Sequence, residues 1–446
     1  MTLLYFIIAI SVLVVIHEYG HFWVARRCGV KVLRFSVGFG KPLWSFTDKQ
    51  GTEFSVAPIP LGGYVKMLDE REAPVPDHLL DQAFNRKSPA ARIAIASAGP
   101  LANFVFAFLA YWLLSVSGTT GLAPVVGQVD EGSLAGDAGI RRGDEIISIN
   151  GDAVNTWQEV SWALVGFIGE DAAVDIGLMS ASGGQRQVTV QVSDWLAHED
   201  IPDPLAGLGV EPRQPELPAD VGDVLDGGAA ARAGLLAGDR VLQVNGQAIA
   251  DWYQWVSVVR AAPGEPLSLT VLRKGQELTL SLTPERKTLE DGTVTGFVGA
   301  SVVVPEYPAD WLRTTHAGLF QGIGIGAQKT WDYIAFTLES LWKMLLGDVS
   351  VKNLSGPITI AKVAGASASG GLESFIGFLA LLSVSLGVLN LLPVPMLDGG
   401  HILFCLAEIA RGKPLPERVQ VVAVQFGLFL LLSLMLVAFY NDISRL

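Results

Sequence analysis

Two histidines and a glutamate lie close together near the start of the chain. The segment His17-Glu18-Tyr19-Gly20-His21 has the HExxH pattern. Residues four apart lie on one face of an α-helix, so both imidazoles can bind one metal ion while Glu18 lies beside it. Zinc accepts nitrogen ligands and needs a third protein ligand and an open position for water. The segment therefore predicts a hydrolytic zinc site in which Glu18 is the general base.

A third ligand is expected from the other end of the chain, where Asp398 lies in the segment NLLPVPMLDGG of residues 390–400. Prolines and glycines in this segment interrupt a helix, which frees backbone groups and lets the carboxylate turn toward the histidines. His401 is a competing ligand one turn further on, and a helix-cap or turn role is the alternative for Asp398. We predict His17, His21 and Asp398 as the metal ligands.

Four apolar stretches are long enough to cross a bilayer, which takes about 20 residues. Half of the chain is apolar and its mean hydropathy is +0.41. The stretches cover residues 3–24, 93–116, 372–392 and 419–439. A fifth stretch, 319–346, is interrupted by charged residues at helical spacing, which favours an amphipathic helix on the membrane surface. We therefore predict a polytopic membrane protein with four transmembrane helices.

The membrane setting strengthens the metal prediction. HExxH also occurs in soluble helices, and histidines in a helix bundle can simply make hydrogen bonds. An isolated charge inside a span costs ~3 to above 10 kcal/mol, so several ionisable groups at one depth require a partner. At ~1.5 Å per residue, His17 lies about 20 Å into the first span, and Asp398 reaches a similar depth from the third.

The distribution of charge predicts the topology. Basic residues follow the first span (Arg26, Arg27, Lys31, Arg34) and the third (Arg411, Lys413, Arg418), which places both segments in the cytoplasm. Residues 118–371 hold 31 Asp and Glu against 16 Lys and Arg, and we place this acidic region outside. The chain has no basic stripe of the kind that binds nucleic acid. Its two cysteines, Cys28 and Cys405, exclude a disulfide framework.

The acidic region contains an internal repeat. The pattern AGI, GD, NG and Trp across residues 138–157 recurs as AGL, GD, NG and Trp across residues 233–252 without a gap. Alternating apolar residues before each Asn-Gly pair predict strands that end in tight turns. The repeat therefore predicts two tandem α+β modules.

The segment 31–66 alternates apolar and polar residues and contains Gly38 and Gly40, which predicts a β-hairpin or small sheet. An edge strand exposes unpaired backbone groups, so an unwound substrate could add to it as a further strand. The alternative is a cytoplasmic hairpin without a role in substrate binding.

Taken together, these motifs resemble the site-2 protease family of intramembrane zinc metalloproteases, in its bacterial type that regulates sigma-E. The match covers nearly the whole chain: HEYGH in the first span, NLLPVPMLDGG after the third, two PDZ-like modules between the second and third, and SGPITI at 355–360. The resemblance implies one Zn²⁺ held by His17, His21 and Asp398, with Glu18 as the base.

The resemblance also implies a substrate and a location. Relatives cut single-span membrane proteins of the anti-sigma-factor type after another protease has trimmed them, and some cut remnant signal peptides. The PDZ-like modules would act as a size filter in the periplasm, and the active site would face the cytoplasmic side of the inner membrane. The β segment would be membrane re-entrant. Candidate substrate-binding residues are Asn390, Pro393, Pro395, Gly38, Gly40 and Asn103, although helix packing in the second span is the favoured role for the segment that holds Asn103.

The predicted fold is a polytopic α-helical membrane protein with a membrane-associated β-hairpin or sheet and two tandem PDZ-like α+β modules. The predicted segments are a first span (1–27), a β segment (28–88), a second span (89–117), module 1 (118–210), module 2 (211–305), amphipathic surface helices (306–370), a third span (371–400), a cytoplasmic loop (401–417) and a fourth span (418–446). Two alternatives are a non-catalytic membrane scaffold or chaperone that holds clients through the modules, and a soluble zinc protease with a hydrophobic core.

Overall fold

Long apolar helices begin and end the chain, and small β sheets lie between them. A computed structural model describes residues 1–199, 202–288, 292–303 and 307–444. The helices are α1 (Thr2–Arg27), α2 (Pro89–Ser117), α3 (Leu134–Asp137), α4 (Trp157–Val165), α5 (Pro204–Leu208), α6 (Ala229–Arg232), α7 (Trp252–Ala261), α8 (Leu319–Leu346), α9 (Pro357–Ser369), α10 (Leu372–Leu391), α11 (Asp398–Arg411) and α12 (Glu417–Ser444). The strands are β1 (Val32–Phe39), β2 (Trp44–Thr47), β3 (Glu53–Val56), β4 (Ile59–Met67), β5 (Thr119–Leu122), β6 (Val126–Val129), β7 (Glu145–Ile149), β8 (Asp152–Ala153), β9 (Ala172–Met179), β10 (Gln185–Val192), β11 (Val210–Pro212), β12 (Val221–Val224), β13 (Arg240–Val244), β14 (Gln247–Ala248), β15 (Leu267–Arg273), β16 (Gln276–Leu282), β17 (Glu285–Thr288), β18 (Val294–Phe297), β19 (Ala300–Val302) and β20 (Leu312–Thr315). Short 3₁₀ helices cover Asp77–Gln82, Phe84–Arg86, Ala309–Trp311 and Val351–Asn353.

The four predicted spans are present as α1, α2, α10 and α12, which are the helices in the described ranges that are long and apolar enough to cross a membrane. Only 11% to 44% of the most apolar window of each helix is buried inside the protein. A soluble protein would cover that apolar surface, whereas a bilayer accepts it. The prediction of a membrane protein is therefore confirmed, and the soluble alternative is not supported.

Helix α2 is the centre of the helical part, because α1, α8, α10 and α11 all pack against it. Its start follows a common pattern, with Ser88 as the N-cap that accepts a hydrogen bond from the Ala91 amide and Pro89 in the first turn. The approach of α1 is close, because Gly20 on α1 lies directly against the Ala98 carbonyl of α2. This contact sets the distance between α1, which carries the HExxH segment, and α2.

Helix α8 connects module 1 to α2. On one side Gly326 of α8 lies against Trp112 of α2. On the other, Trp162 of α4 packs on Tyr333 with ring centroids 4.1 Å apart, and Lys343 pairs with Glu170 at 2.6 Å. The predicted position of α8 on a membrane surface stays a prediction.

The β segment forms a four-stranded sheet with the strand order β2-β3-β1-β4. Strands β1 and β3 pair in parallel, and β4 is an antiparallel edge strand. Phe22 of α1 packs edge-on against Phe35 of β1 and Phe54 of β3, so the sheet rests on the inner part of α1. The predicted small sheet is therefore present and lies beside the helix that carries HExxH.

The repeat predicted from the sequence is visible in two matching four-stranded sheets. Their strand orders are β10-β9-β7-β8 and β14-β13-β15-β16, so equivalent strands occupy equivalent places. Asn150 and Asn245, which are 95 residues apart, both take positive φ angles, of 49° and 51°, at the start of their turns. Each sheet covers a separate hydrophobic core. The predicted end of module 2 at residue 305 lies outside the described residues.

The chain breaks between α10 and α11, as the prolines predict. Gly399 in the first turn of α11 leaves no room for a Cβ, which would lie 2.2 Å from the carbonyl oxygens of Leu391 and Leu392. The prediction of a loop over residues 401–417 is wrong for most of its length. Helix α11 continues to Arg411, and Gly412 then takes a positive φ of 68°. Its apolar residues recur at helical spacing, which supports a helix beside the third span.

The SGPITI segment has a structural role in this fold. Asp442, near the end of α12, accepts hydrogen bonds from the Ile358 amide at 2.7 Å, the Gly356 amide at 3.1 Å and the Thr359 hydroxyl at 2.6 Å. These donors lie at the start of α9, where a helix leaves amides without partners. The carboxylate therefore caps α9 from another helix and anchors the C-terminal end of α12.

Candidate metal centre

Three side chains from the two ends of the chain meet at one point. The Nε2 atoms of His17 and His21 lie 3.2 Å apart, and they lie 3.2 Å and 3.4 Å from Oδ2 of Asp398. The histidines come from one face of α1, and Asp398 is the first residue of α11. Both histidines are buried, each with 8% of its surface exposed. In the described part of the chain, these three side chains form the group that can hold a metal ion.

The spacing of the three atoms fits zinc. A point equidistant from the corners of a nearly equilateral triangle lies at the side divided by √3, here about 1.9 Å, close to the 2.0–2.2 Å of zinc bonds to nitrogen and oxygen. Oδ2 of Asp398 is also buried and finds no hydrogen-bond donor among the described residues. A buried carboxylate oxygen whose neighbours are two imidazole nitrogens is well suited to bind a cation together with them. Two imidazoles and one carboxylate therefore fit a zinc ion with one position left open.

Helix α2 forms the opposite wall of the centre. Ile95, Gly99 and Asn103 recur every four residues along it and so share one face. The Ile95 carbonyl lies 2.8 Å from Nδ1 of His21, and the Asn103 amide lies 3.2 Å from Nδ1 of His17. Both rings are thus held at the nitrogen that points away from Asp398, which leaves both Nε2 atoms directed at the metal position.

Glu18 lies beside the metal position and against the edge strand β4. Its side chain is half-buried and feels the charges of both histidines and Asp398. Gly63 of β4 lies against its Cγ, which would be 3.3 Å from a Cβ added at Gly63. Glu18 therefore lies between the metal ligands and β4, the edge strand of the sheet.

The other candidate residues lie elsewhere. His401 is outside the metal group and lines a cavity of about 230 Å³ together with Arg71, Arg92 and Glu408. Arg92 and Glu408 pair at 2.7 Å across that cavity. The structure therefore separates His401 from the ligand set and makes it part of a polar space beside the centre.

The candidate substrate-binding residues lie in different parts of the structure. Asn103 is fully buried on His17. Asn390 donates from its side chain to Leu386 in its own helix at 3.0 Å, and Pro393 and Pro395 lie in the break before α11. Gly38 lies at an irregularity in the β1–β4 pairing, and it and Gly40 take positive φ angles of 89° and 110°. A role in substrate binding stays a prediction for all of them.

Sequence reasoning did not identify Gly99 as part of the centre. A Cβ at this position would lie 2.3 Å from Nε2 of His21 and 2.8 Å from Cε1 of His17. The available signal was the spacing of Ile95, Gly99 and Asn103, which matches the spacing of the two histidines. The spacing identifies residues of the centre only when this face of α2 is known to contact α1.

We expect Gly99→Ala to lower zinc affinity by roughly 10- to 100-fold, the range found when groups that orient metal ligands are disturbed. The added methyl must push both imidazoles away from Asp398. Zinc affinity is measured by competition with a chelator on the purified full chain. Gly324→Ala in α8 is the matched control, because no described atom lies within 4 Å of its added Cβ. Equal affinity in both variants would contradict the geometry described above.

The proteins that are similar to this chain agree with the assignment of a zinc centre. The profile of peptidase family M50 matches residues 5–434. "Regulator of sigma-E protease RseP" from Escherichia coli K12 is 45% identical over 441 residues, which cover 99% of this chain and 98% of the relative. A protein of Vibrio cholerae, whose name describes it as a zinc metalloprotease, is 44% identical over 443 residues, with the same two shares. A Neisseria meningitidis protein with a name of the same kind is 44% identical over 450 residues, covering 100% and 99%.

Proposed function

Because this chain belongs to peptidase family M50, the family of site-2 proteases, and is a zinc metalloprotease, we propose that it cleaves single-span membrane proteins inside the bilayer. The observation that carries the proposal is the meeting of His17, His21 and Asp398 within 4.8 Å of one another, with Glu18 beside them. All four residues lie in or next to helices of membrane-spanning length. Hydrolysis at this place acts on a peptide bond that lies within the membrane.

The residues of the centre have distinct roles in this proposal. His17, His21 and Asp398 hold the ion. Zinc supplies Lewis acidity, which polarises the scissile carbonyl and lowers the pKa of a water. Glu18 takes the proton from the attacking water and passes it to the leaving amine. The Glu18 side chain packs against Gly63 of β4, which keeps its carboxylate beside the metal ligands.

The edge strand β4 gives the substrate a binding surface. A helical substrate hides its scissile carbonyl in the helix, so it must unwind before attack. Strand β4 has one paired neighbour, the antiparallel β1, so it is an edge strand of the sheet, and its Gly63 lies against the Glu18 side chain. A substrate strand that pairs along this edge places its backbone beside the base. This arrangement favours a substrate-binding role for the sheet over a plain hairpin.

The two modules are proposed to be PDZ-like and to limit access by size. The matching sheets and acidic composition of the modules, and the link of module 1 to α8, support a position of both modules on one side of the four spans. By the distribution of basic residues that side is the periplasm, and the centre lies toward the cytoplasm of a bacterial inner membrane. The names of the relatives suggest a substrate that controls sigma-E, an anti-sigma factor trimmed beforehand by another protease.

Cleavage of matched substrates tests this function. The purified full chain in detergent or liposomes receives a single-span peptide with either a short outer tail or a folded outer domain of about 100 residues, the size of a common domain. We expect zinc-dependent cleavage inside the span of the short form and much slower cleavage of the long form. Cleavage of both forms only outside the span would contradict intramembrane proteolysis. Equal cleavage of both forms inside the span would contradict the size filter but not intramembrane proteolysis.

The scaffold or chaperone alternative is not favoured. It requires a centre that has lost catalysis, yet the three metal ligands lie within 4.8 Å of one another and the base Glu18 is present beside them.

A further inference from the structure

We propose that Asn103 is a positioning residue that fixes the tautomer of His17 by accepting a hydrogen bond from Nδ1–H through its side-chain oxygen. The inference rests on the proposed metal site and adds a residue to it from the third helix of the centre, α2. It assigns to Asn103 a role in metal affinity in place of the predicted contact with substrate.

The first observation is the contact itself. Asn103 has no exposed surface, and its side-chain amide lies 3.2 Å from Nδ1 of His17. Its backbone is also held, because the Ser383 hydroxyl of α10 donates to the Asn103 carbonyl at 2.9 Å. The side chain is therefore fixed at the back of the imidazole, where it can act on the ring.

The second observation is an unpaired atom. Nδ2 of Asn103 faces His17, while Oδ1 is buried and has no hydrogen-bond partner among the described residues. The two ends of a carboxamide have nearly the same shape, so their assignment follows from the hydrogen bonds they make. Rotating the amide by half a turn presents the oxygen to Nδ1 and leaves Nδ2 in the position without a partner, so one end of the amide is unpaired in either orientation.

The chemistry of the ring decides between the two orientations. A neutral imidazole carries one proton, so Nε2 can bind a metal ion only if Nδ1 carries that proton. Nδ1–H then needs an acceptor, and Nδ2 of Asn103 cannot be one. His21 already follows this rule, because its Nδ1 faces the Ile95 carbonyl at 2.8 Å, which only accepts. Oxygen from Asn103 gives His17 the same arrangement.

One helix face therefore orients both zinc-binding imidazoles. The Ile95 carbonyl holds His21, Asn103 holds His17, and Gly99 between them leaves space for both rings. Acceptors on the far nitrogen of metal-bound histidines fix the ring and make it a better ligand.

Two variants and a control test the proposal in the detergent-purified full chain. Asn103→Leu keeps the approximate shape and removes the acceptor, and we expect zinc affinity to fall by roughly 10- to 100-fold. Asn103→Asp restores an acceptor oxygen, and its affinity should stay within about threefold of the wild type. Ser385→Ala removes a hydroxyl of α10 that bonds to the Leu381 carbonyl within the same helix, and should bind zinc like the wild type.

A spectroscopic measurement covers the case in which a variant does not fold. With ¹⁵N-labelled histidine in the zinc-loaded wild type, the metal-bound ring in contact with Asn103 should show a protonated Nδ1. An unprotonated Nδ1 would overturn the proposal, as would wild-type affinity in Asn103→Leu or equal loss in Asn103→Leu and Asn103→Asp. If the wild type binds no zinc at all, the proposed function itself fails, so the two failures are distinguishable.

Discussion

Glu18→Gln should retain zinc and lose cleavage by a factor of roughly 10² to 10⁴, the usual contribution of a general base. Glutamine has nearly the shape of glutamate and can keep the packing against Gly63, so the metal ligands keep their positions. It cannot accept the proton of the attacking water, because its amide is not basic. Peptide-bond cleavage with the short-tailed substrate and zinc content are measured on the same preparation.

The control for this variant is Glu373→Gln, the same change at an exposed position in the first turn of α10. It should cleave at the wild-type rate. Wild-type cleavage in Glu18→Gln would remove Glu18 from the mechanism, and loss of zinc together with cleavage would show that Glu18 supports the metal and not the proton transfer. The inactive variant should also retain bound substrate, which allows the substrate to be identified.

The spans could be predicted from the sequence because a bilayer imposes a length. Predicted spans at 3–24 and 372–392 agree closely with Thr2–Arg27 and Leu372–Leu391. The fourth helix runs from Glu417 to Ser444 and is longer than its apolar part, 419–439. Charged and polar residues at a helix end leave the hydrocarbon but continue the backbone hydrogen bonds. Hydropathy therefore locates a span well and its ends poorly.

The part of the centre made by α1 was predictable, whereas the part made by α2 was not. The histidines carry their own signal, because imidazoles four residues apart must share a helix face. Gly99 and Asn103 become functional only once α2 is rotated toward α1, and α2 is apolar around most of its circumference. A helix with apolar residues on all sides does not reveal which face meets its neighbour.

The small sheet shows a similar limit. Alternation in the segment 31–66 indicated strands, and a hairpin is the simplest pairing of consecutive strands. In the structure β1 pairs in parallel with β3 and antiparallel with β4, with β2 at the far edge. The aromatic contacts of Phe22 with Phe35 and Phe54 select this arrangement, and they depend on α1. Tertiary packing therefore decides which strand edge remains free beside Glu18.

Asp398→Ala should lower zinc affinity by at least about 100-fold and abolish cleavage, since disturbing a partner of a metal ligand alone costs roughly 10- to 100-fold. Removal of Asp398 leaves two imidazoles 3.2 Å apart without the anion that balances the ion. His401→Ala is the decisive control, because His401 is the competing third ligand in the sequence. The structure places His401 in the neighbouring cavity, so that variant should keep its zinc.

The alternative role of Asp398 as a helix cap predicts a different pattern. A cap variant would lose about 0.5–2 kcal/mol of stability and keep its metal. The contacts of Asp398 favour the ligand role, because its Oδ2 lies 3.2 Å from His17 and 3.4 Å from His21 and has no hydrogen-bond donor in the described part of the chain. Zinc titration of Asp398→Ala and His401→Ala therefore separates the roles: zinc lost only in Asp398→Ala supports the proposed centre, and zinc lost only in His401→Ala would replace its third ligand.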